Sequence, residues 1–270
     1  MPYPPLPTPR TVVLLLLLLS GCAAAPEGPQ NTVQVPPERL ASAGARASLQ
    51  IQRRGELLRE LDTTRYVRCV ADALIQAIPA APADWEVVVM RDETPDAWAL
   101  AGRRLGVTKA LLRVTGNQDR LAAVLAHGIA HELLGHTGAH ITPSVAASLE
   151  GDAALSNEAI AAIGGASQVG AGFAYSASEE AAADGRALAL MGAAGFDPAA
   201  ASLAWAQLQA YRVREGTSGE RPPPMLLVHP IDRGRIQAMH TPAAAVTTAF
   251  DAARLSGRRP DCGTLEESER

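Results

Sequence analysis

The feature that most constrains this chain is a pair of histidines, His127 and His131, in the run LAAVLAHGIAHELLGH at 121–136. Leu125 and Ile129 recur four residues apart in this run, which is a spacing typical of an amphipathic α-helix. Residues four apart lie on one face of a helix, so the two imidazoles are close enough to share a tetrahedral Zn²⁺. The sequence therefore predicts a metal-binding helix here.

Gly128 is the second notable residue of this run, because the zinc-binding helix motif HExxH carries glutamate at that position. That glutamate takes a proton from metal-bound water and passes it on as a general base and acid. Glycine has no side chain that could do so, and losing a general base typically costs about 10² to 10⁴ in rate. The pattern predicts a preserved metal site with weakened hydrolysis.

The first residues of the chain are typical of an export signal. Arg10 precedes a short apolar run at 11–19, and the small residues Ser20 and Gly21 then precede Cys22, as in a bacterial lipoprotein signal. An uncleaved membrane helix and an ordinary signal peptide are the alternatives, but so short a run cannot span roughly 30 Å of hydrocarbon. We expect lipidation of Cys22 and a membrane anchor. Because no aspartate follows Cys22, the predicted location is the outer membrane, facing the periplasm.

The domain organisation follows from this signal and from composition. We expect a signal peptide at 1–21, a flexible tether at 22–37, a domain at 38–262 and a disordered tail at 263–270. A chain of 270 residues, 47% of them hydrophobic, can bury one sizeable core. A net charge of −4 argues against nucleic acid as a partner.

Two cysteines remain after the signal, Cys69 and Cys262. An exported chain meets an oxidising compartment, where such a pair can close into a disulfide. Two separate buried thiols are the alternative, and the spacing in sequence does not choose between them.

The pattern of apolar residues indicates a mostly helical α+β fold with a small sheet. Positions 37–78 have helical spacing, 85–90 reads as a strand, and 97–107 reads as a second strand or a hairpin interrupted by Gly102. Asn117 provides an N-cap for the histidine helix.

A second long helix begins after Ser176, which forms a capping-box pattern with Glu179. Glu180 and Asp184 are four residues apart and share one face of this helix. One interpretation makes Glu180 the third zinc ligand and Asp184 a partner that orients a ligand histidine. The alternative is a solvated acidic face.

Five ordered motifs carry a family resemblance. The histidine run resembles LAAVLAHEIAHVxxxH, SASEEAAAD at 176–184 resembles SRxxExEAD, and AGFDP at 194–198 resembles AGYDP. DAWALAGRRLGV at 96–107 resembles NAFALPGGxIxV, and the segment 229–235 resembles HPxxxxR. Over about 63–239 the chain resembles the HtpX-like zinc metallopeptidases, gluzincins with HExxH and ExxxD motifs, and especially the periplasmic lipoprotein branch related to LoiP and BepA.

The resemblance implies a zincin-type domain with a small sheet beside the active-site helix. It implies one Zn²⁺ per chain on His127, His131 and Glu180, with Asp184 behind them. The family's reaction is endoproteolysis, in which an extended substrate pairs with the edge strand beside the cleft. His229 is expected to stabilise the oxyanion, and Arg235 to lie near the cleft. Unfolded or assembling envelope proteins are the expected substrates or clients.

The chain departs from the family at Gly128, at Ala182 and at Asp96, where the motifs have glutamate, glutamate and asparagine. Glu132 is a possible substitute base, although it lies one helical turn late. An alternative zinc motif, HELLGH at 131–136, would need a distorted helix, and we interpret His136 as a helix-end histidine. Two functions remain open, a weakened metallopeptidase and an inactive pseudoprotease that binds envelope proteins.

Overall fold

A computed structural model describes residues 31–79, 84–170, 173–218, 223–242 and 244–265. The predicted signal peptide and Cys22 lie outside the described residues. Within the described ranges, no helix combines the length and the apolar character needed to cross a membrane.

The described chain is mainly helical, with one small sheet. The helices are α1 Pro37–Arg54, α2 Leu61–Gln76, α3 Lys109–Thr115, α4 Gln118–Leu133, α5 Pro143–Ser148, α6 Asn157–Ile160, α7 Ala166–Val169, α8 Ala177–Ala194, α9 Ala200–Ser218, α10 Met225–Val228, α11 Arg233–His240 and α12 Ala244–Leu255. The strands are β1 Glu86–Met90, β2 Ala97–Leu100 and β3 Arg104–Thr108. A 3₁₀ turn covers His136–Gly138, and a wide turn Ala161–Gly165 joins α6 to α7.

The prediction of helical structure throughout 37–78 is wrong in the middle of this range, because the chain forms two helices joined by an extended segment. Gly55 follows α1 in an extended conformation, and helix interiors disfavour glycine. Leu57 then forms an isolated bridge with Met90, and Leu58 is buried in the core. These leucines therefore pack from an extended segment and not from a helical stripe.

The sheet has the order β1-β3-β2, with β1 parallel and β2 antiparallel to β3. The predicted strand and hairpin are confirmed. Gly106 in β3 allows the ring of Trp98 in β2 to lie against the backbone, because a Cβ at Gly106 would come within 2.1 Å of that ring. The strand β2 lies at the edge of the sheet, directly above α4.

The sheet separates two apolar cores. The larger lies between the sheet and α2, α4, α8 and α9, and it buries Leu121, Leu125 and Ile129 of the histidine helix. The smaller packs α1 against the other face of the sheet, around Trp98 and Leu100. The mostly helical α+β fold with a small sheet beside the histidine helix, predicted from the sequence, is confirmed.

The ends of the predicted domain are more ordered than expected. The Val33 amide donates to the Ile141 carbonyl at 2.8 Å, and Val35 is buried in the smaller core. Leu265 packs, partly buried, against the larger core. Val35 and Leu265 thus pack against the cores from segments that the sequence assigns to a tether and a tail, and the domain bounds stay predictions.

Of the two alternatives that the sequence leaves open, the structure has the disulfide between Cys69 and Cys262. It joins α2 to the segment that follows α12, across 193 residues of sequence. Nearby, the Cys262 amide donates to the Gln118 side chain at 2.9 Å, so this segment is also tied to the start of the histidine helix.

Candidate metal centre

The helix α4 places His127 and His131 side by side. Asn117 begins the helix as predicted, with its side-chain oxygen accepting the Arg120 amide at 3.0 Å. Both histidines are buried, and their Nε2 atoms lie 3.0 Å apart. The pair therefore presents two ring nitrogens to one point, as the four-residue spacing predicts.

The helix α8 brings a carboxylate to the same point. The predicted capping box is present, with Ser176 and Glu179 bonded to each other's backbone. Glu180 is buried in the first turn, with its Oε1 3.4 Å from His131 Nε2 and its Oε2 3.5 Å from His127 Nε2. The solvated acidic face considered from the sequence is therefore not observed at Glu180.

His229 joins these three side chains from the segment after α10. Its Nδ1 lies 2.7 Å from Glu180 Oε1 and 3.1 Å from His127 Nε2. Ligand-type atoms of His127, His131, Glu180 and His229 all lie within 4.8 Å of one another. The sequence motif placed His229 near the cleft but did not reveal that it would face the ligand positions.

The donor set fits a single zinc ion. Ligand atoms about 2.0–2.1 Å from a tetrahedral zinc lie roughly 3.3 Å from one another, and the separations here run from 2.7 to 3.5 Å. Two imidazole nitrogens facing each other at 3.0 Å can share at most one hydrogen. A cation between them satisfies both lone pairs, and among the described residues no other such group of potential ligands occurs.

Burial keeps two of the histidines neutral, as metal coordination requires. It lowers the pKa of His131 to about 2, and it also lowers the pKa of His229. Burial acts in the same direction on His127, but the Glu180 and Asp184 carboxylates outweigh it and raise the pKa of that ring. The balance between burial and the nearby carboxylates therefore has the opposite sign at His127 from that at His131 and His229.

Asp184 and Arg235 support His127 from behind. Asp184 Oδ1 lies 3.0 Å from His127 Nδ1, although the ring N–H does not point directly at this oxygen. Arg235 donates to both Asp184 oxygens, from Nε at 2.6 Å and from Nη2 at 2.8 Å, and also contacts Glu180. Burial raises the pKa of Asp184, but the hydrogen bonds from Arg235 outweigh it and leave that pKa lowered. The structure thus brings both predicted residues to the site.

His136 lies just beyond the end of α4 and contacts a candidate ligand histidine. It follows Gly135, whose left-handed backbone ends the helix, and its Nδ1 lies 3.0 Å from Nδ1 of His131. His131 meets the other candidate ligands through its opposite nitrogen, Nε2. His136 therefore lies behind a candidate ligand and outside the cluster, which argues against the HELLGH alternative.

The model of peptidase family M48 matches residues 61–243. The chain belongs to this family. The match includes both helices that carry the candidate ligands and the segment that carries His229. The metallopeptidase assignment made from the motifs is therefore confirmed at the level of the family.

Named relatives of the M48 chain come from mitochondria and from a bacterium. It is 34% identical over 167 residues to the mitochondrial metalloendopeptidase OMA1 of Schizosaccharomyces pombe, covering 58% of this chain and 47% of that protein. It is 29% identical over 183 residues to the putative beta-barrel assembly-enhancing protease of Vibrio cholerae, covering 63% of this chain and 37% of that protein. The chain thus spans less than half the length of these relatives.

Gly128, where this M48 chain departs from the HExxH motif, lies in the wall of the cleft. A Cβ at Gly128 would lie 3.2 Å from the Ala99 Cβ and 3.8 Å from Leu105 Cδ2. The described part of the cleft is lined by His127, His131 and His229 among other residues, and no aspartate or glutamate lines it. Among the described residues, this wall therefore has no carboxylate that could act as a general base.

Glu132 does not fill that role in this conformation. Its Oε1 accepts the Gly102 amide at 2.8 Å and the Arg103 amide at 3.1 Å, and its Oε2 accepts the Thr137 hydroxyl at 2.6 Å. The carboxylate is committed to the turn between β2 and β3 and does not line the cleft. The suggestion that it substitutes for the missing base is therefore contradicted by its position.

The edge strand β2 is covered by the chain itself. The Ala101 amide donates to the Ile163 carbonyl at 3.0 Å. Gly164 packs so closely that a Cβ there would lie 2.0 Å from the Ala99 carbonyl oxygen. A substrate pairing with β2, as the resemblance implies, would first have to displace the turn Ala161–Gly165.

Asp96, where the family motif has asparagine, ties three elements together. It is buried at the start of β2 and accepts the Met225 amide at 3.1 Å, at the start of the short helix that leads to His229. It also accepts a hydrogen bond from Gln168 in α7. Burial raises the pKa of Asp96 to about 7.

Proposed function

We propose that this M48 chain is a zinc-binding lipoprotein of the bacterial cell envelope that acts on unfolded or assembling envelope proteins, with peptide hydrolysis much weaker than in members that carry HExxH. One observation carries the proposal. His127, His131 and Glu180 converge as a ligand set, while Gly128 leaves the adjacent wall of the cleft without a carboxylate. The site thus keeps the residues that would bind the metal and lacks the residue that would act as the base.

The residues have distinct roles in this proposal. His127, His131 and Glu180 would hold the zinc, which supplies Lewis-acid polarisation of a peptide carbonyl. Asp184 and Arg235 would keep the His127 ring in its orientation. Without a base at 128, the removal of a proton from the attacking water falls to solvent, which accounts for a loss of about 10² to 10⁴ in rate.

The location in the cell envelope rests on separate observations. The lipoprotein-type signal ends at Cys22, and the bond between Cys69 and Cys262 suits an oxidising compartment. The Vibrio cholerae relative is named for β-barrel assembly. Mass spectrometry of the mature N-terminus tests the anchor, and an unmodified Cys22 or an intact Met1 would contradict it.

A second candidate function is a pseudoprotease that binds clients without cleaving them. The position of His229 favours it, because His229 Nδ1 lies within hydrogen-bonding distance of both His127 and Glu180. Zinc sites with four protein ligands are usually structural, whereas catalytic sites keep one position open. If His229 remains a fourth ligand, substrate has no open position at the metal.

Zinc analysis and a cleavage assay on the mature chain, purified without a histidine tag, test both functions. We expect about one zinc per chain, and no stoichiometric zinc in Glu180→Ala. Weak casein cleavage that a chelator abolishes supports the peptidase. Binding of unfolded outer-membrane protein without any cleavage supports the pseudoprotease. A metal-free wild type, or cleavage that survives in Glu180→Ala, would contradict the proposed metal site.

A further inference from the structure

The turn between β2 and β3 has an unusual backbone that a single side chain holds in place. Gly102 and Arg103 both have positive φ angles, 81° and 64°. The left-handed region is costly for a residue with a Cβ such as Arg103. The amides of these two residues point at one atom, Oε1 of Glu132, at 2.8 and 3.1 Å.

The Glu132 carboxylate is itself fixed. Its second oxygen accepts the hydroxyl of Thr137, a buried residue of the 3₁₀ turn that follows α4. Hydrogen bonds to a carboxylate are stronger than those between neutral groups. Glu132 therefore connects the end of the histidine helix to the turn of the hairpin above it.

The hairpin is also held at its other end. Asp96, at the start of β2, accepts the Met225 amide at 3.1 Å. Between these two anchors lies Ala99, whose Cβ would be 3.2 Å from a Cβ at Gly128. That separation is tighter than normal packing, so Ala99 would have to move away by a few tenths of an ångström. Its strand is restrained from doing so at both ends.

We propose that Glu132 is a positioning residue that clamps the β2–β3 hairpin onto α4, so that the wall of the cleft opposite position 128 fits glycine better than any residue with a Cβ. The family motif quoted above has valine at position 132 and glutamate at 128. Glu132 thus differs from the motif as Gly128 does, and these two positions are coupled through Ala99. This inference concerns packing and does not depend on the proposed function.

A double-mutant cycle with Gly128→Ala and Glu132→Val tests the coupling. Alanine is favoured over glycine in a helix by about fivefold in the equilibrium constant when nothing obstructs its Cβ. In the wild-type chain, we expect Gly128→Ala to give little or none of this gain in stability, measured by urea unfolding. In the Glu132→Val background, where the hairpin is released, we expect the same substitution to give most of the gain. An equal effect of Gly128→Ala in both backgrounds would overturn the proposal.

Hydrogen exchange of the Gly102 and Arg103 amides tests the clamp itself. We expect exchange at least about tenfold faster in Glu132→Val, with Glu132→Gln intermediate because its amide oxygen can still accept. Thr137→Val is the matched control, since it removes a bond to the same carboxylate without touching the turn. Unchanged exchange in both Glu132 variants, or an equally large increase in Thr137→Val, would reject the clamp.

Zinc content separates this inference from the proposed function. Glu132 is outside the ligand cluster, so Glu132→Gln is expected to bind zinc like wild type. A wild type that binds no zinc would contradict the proposed metal site but not the role of Glu132. The exchange rates and the unfolding cycle would still decide whether Glu132 positions the hairpin.

Discussion

Asp184 Oδ1 lies 3.0 Å from Nδ1 of His127, and the same carboxylate accepts two hydrogen bonds from Arg235. The ring of a candidate ligand is thus held from the side opposite to the other ligand atoms. Such partners orient metal-bound histidines and raise their basicity.

Replacing this carboxylate is expected to weaken zinc binding without removing a ligand. Asp184→Asn keeps the shape of the side chain but loses its charge, and comparable changes behind metal ligands reduce affinity about 10- to 100-fold. Competition with a chromophoric chelator measures the change. Asp251→Asn, an exposed residue on α12, is the control. Equal affinities for wild type and Asp184→Asn would show that Asp184 has no such role.

Restoring the missing base is expected to raise hydrolysis only when space is made for it. Gly128→Glu rebuilds HExxH, but its Cβ meets Ala99 at 3.2 Å. The double variant Ala99→Gly with Gly128→Glu removes that contact and is expected to cleave casein about 10²-fold faster than wild type. Ala99→Gly alone is the control. If the double variant binds zinc and cleaves no faster than the control, then more than the base is missing.

The contribution of Asp96 to stability is expected to fall as pH rises from about 4 to about 7. Burial raises the pKa of this carboxyl to about 7 in the folded protein, whereas in the unfolded chain it is about 3.9. At Asp96 the folded state therefore binds more protons between these values than the unfolded state, and the stability that protonated Asp96 contributes is lost as pH approaches 7. Above that range the loss is complete.

Asp96→Asn removes this titration and restores the residue of the family motif. We expect the variant to gain stability relative to wild type at pH 8, on the order of 1 kcal/mol or more, and to gain less or nothing at pH 4.5. Urea unfolding of both proteins at both pH values measures the difference between them, which cancels the titration of the histidines and of the other carboxylates. A difference that does not change with pH would mean that Asp96 keeps its ordinary pKa.

The contact between the turn Ala161–Gly165 and the edge strand is expected to depend on Gly164. Alanine at this position faces both a positive φ of 100° and the Ala99 carbonyl oxygen, so we predict a loss of about 2 kcal/mol or more. The Ala101 amide should then exchange faster, because its bond to Ile163 is lost. Gly170→Ala is the matched control.

Gly170 has a positive φ of 63°, but no atom of the described residues lies within 4 Å of an added Cβ. Its substitution therefore reports the backbone cost alone, about 1 kcal/mol. Equal losses of stability in the two variants, with unchanged exchange at Ala101, would show that the turn does not hold β2.

The local arrangement of the candidate site could be predicted from the sequence. The spacing of His127 and His131, the cap at Asn117 and the capping box before Glu180 are all properties of single helices, and each is observed. A four-residue interval sets the direction of two side chains whatever the rest of the fold does. The roles of these residues as zinc ligands stay predictions.

Only the tertiary structure decided which distant groups meet these helices. Glu132 was considered as a base because helical geometry places it one turn after Gly128, but the amides that bind it belong to a turn about 30 residues earlier. His229 reaches Glu180 across 49 residues. The periodicity of a sequence predicts the direction in which a side chain leaves its own helix. The partners of that side chain depend on how separate elements pack. A strained turn or a covered edge strand leaves no periodic pattern in the sequence.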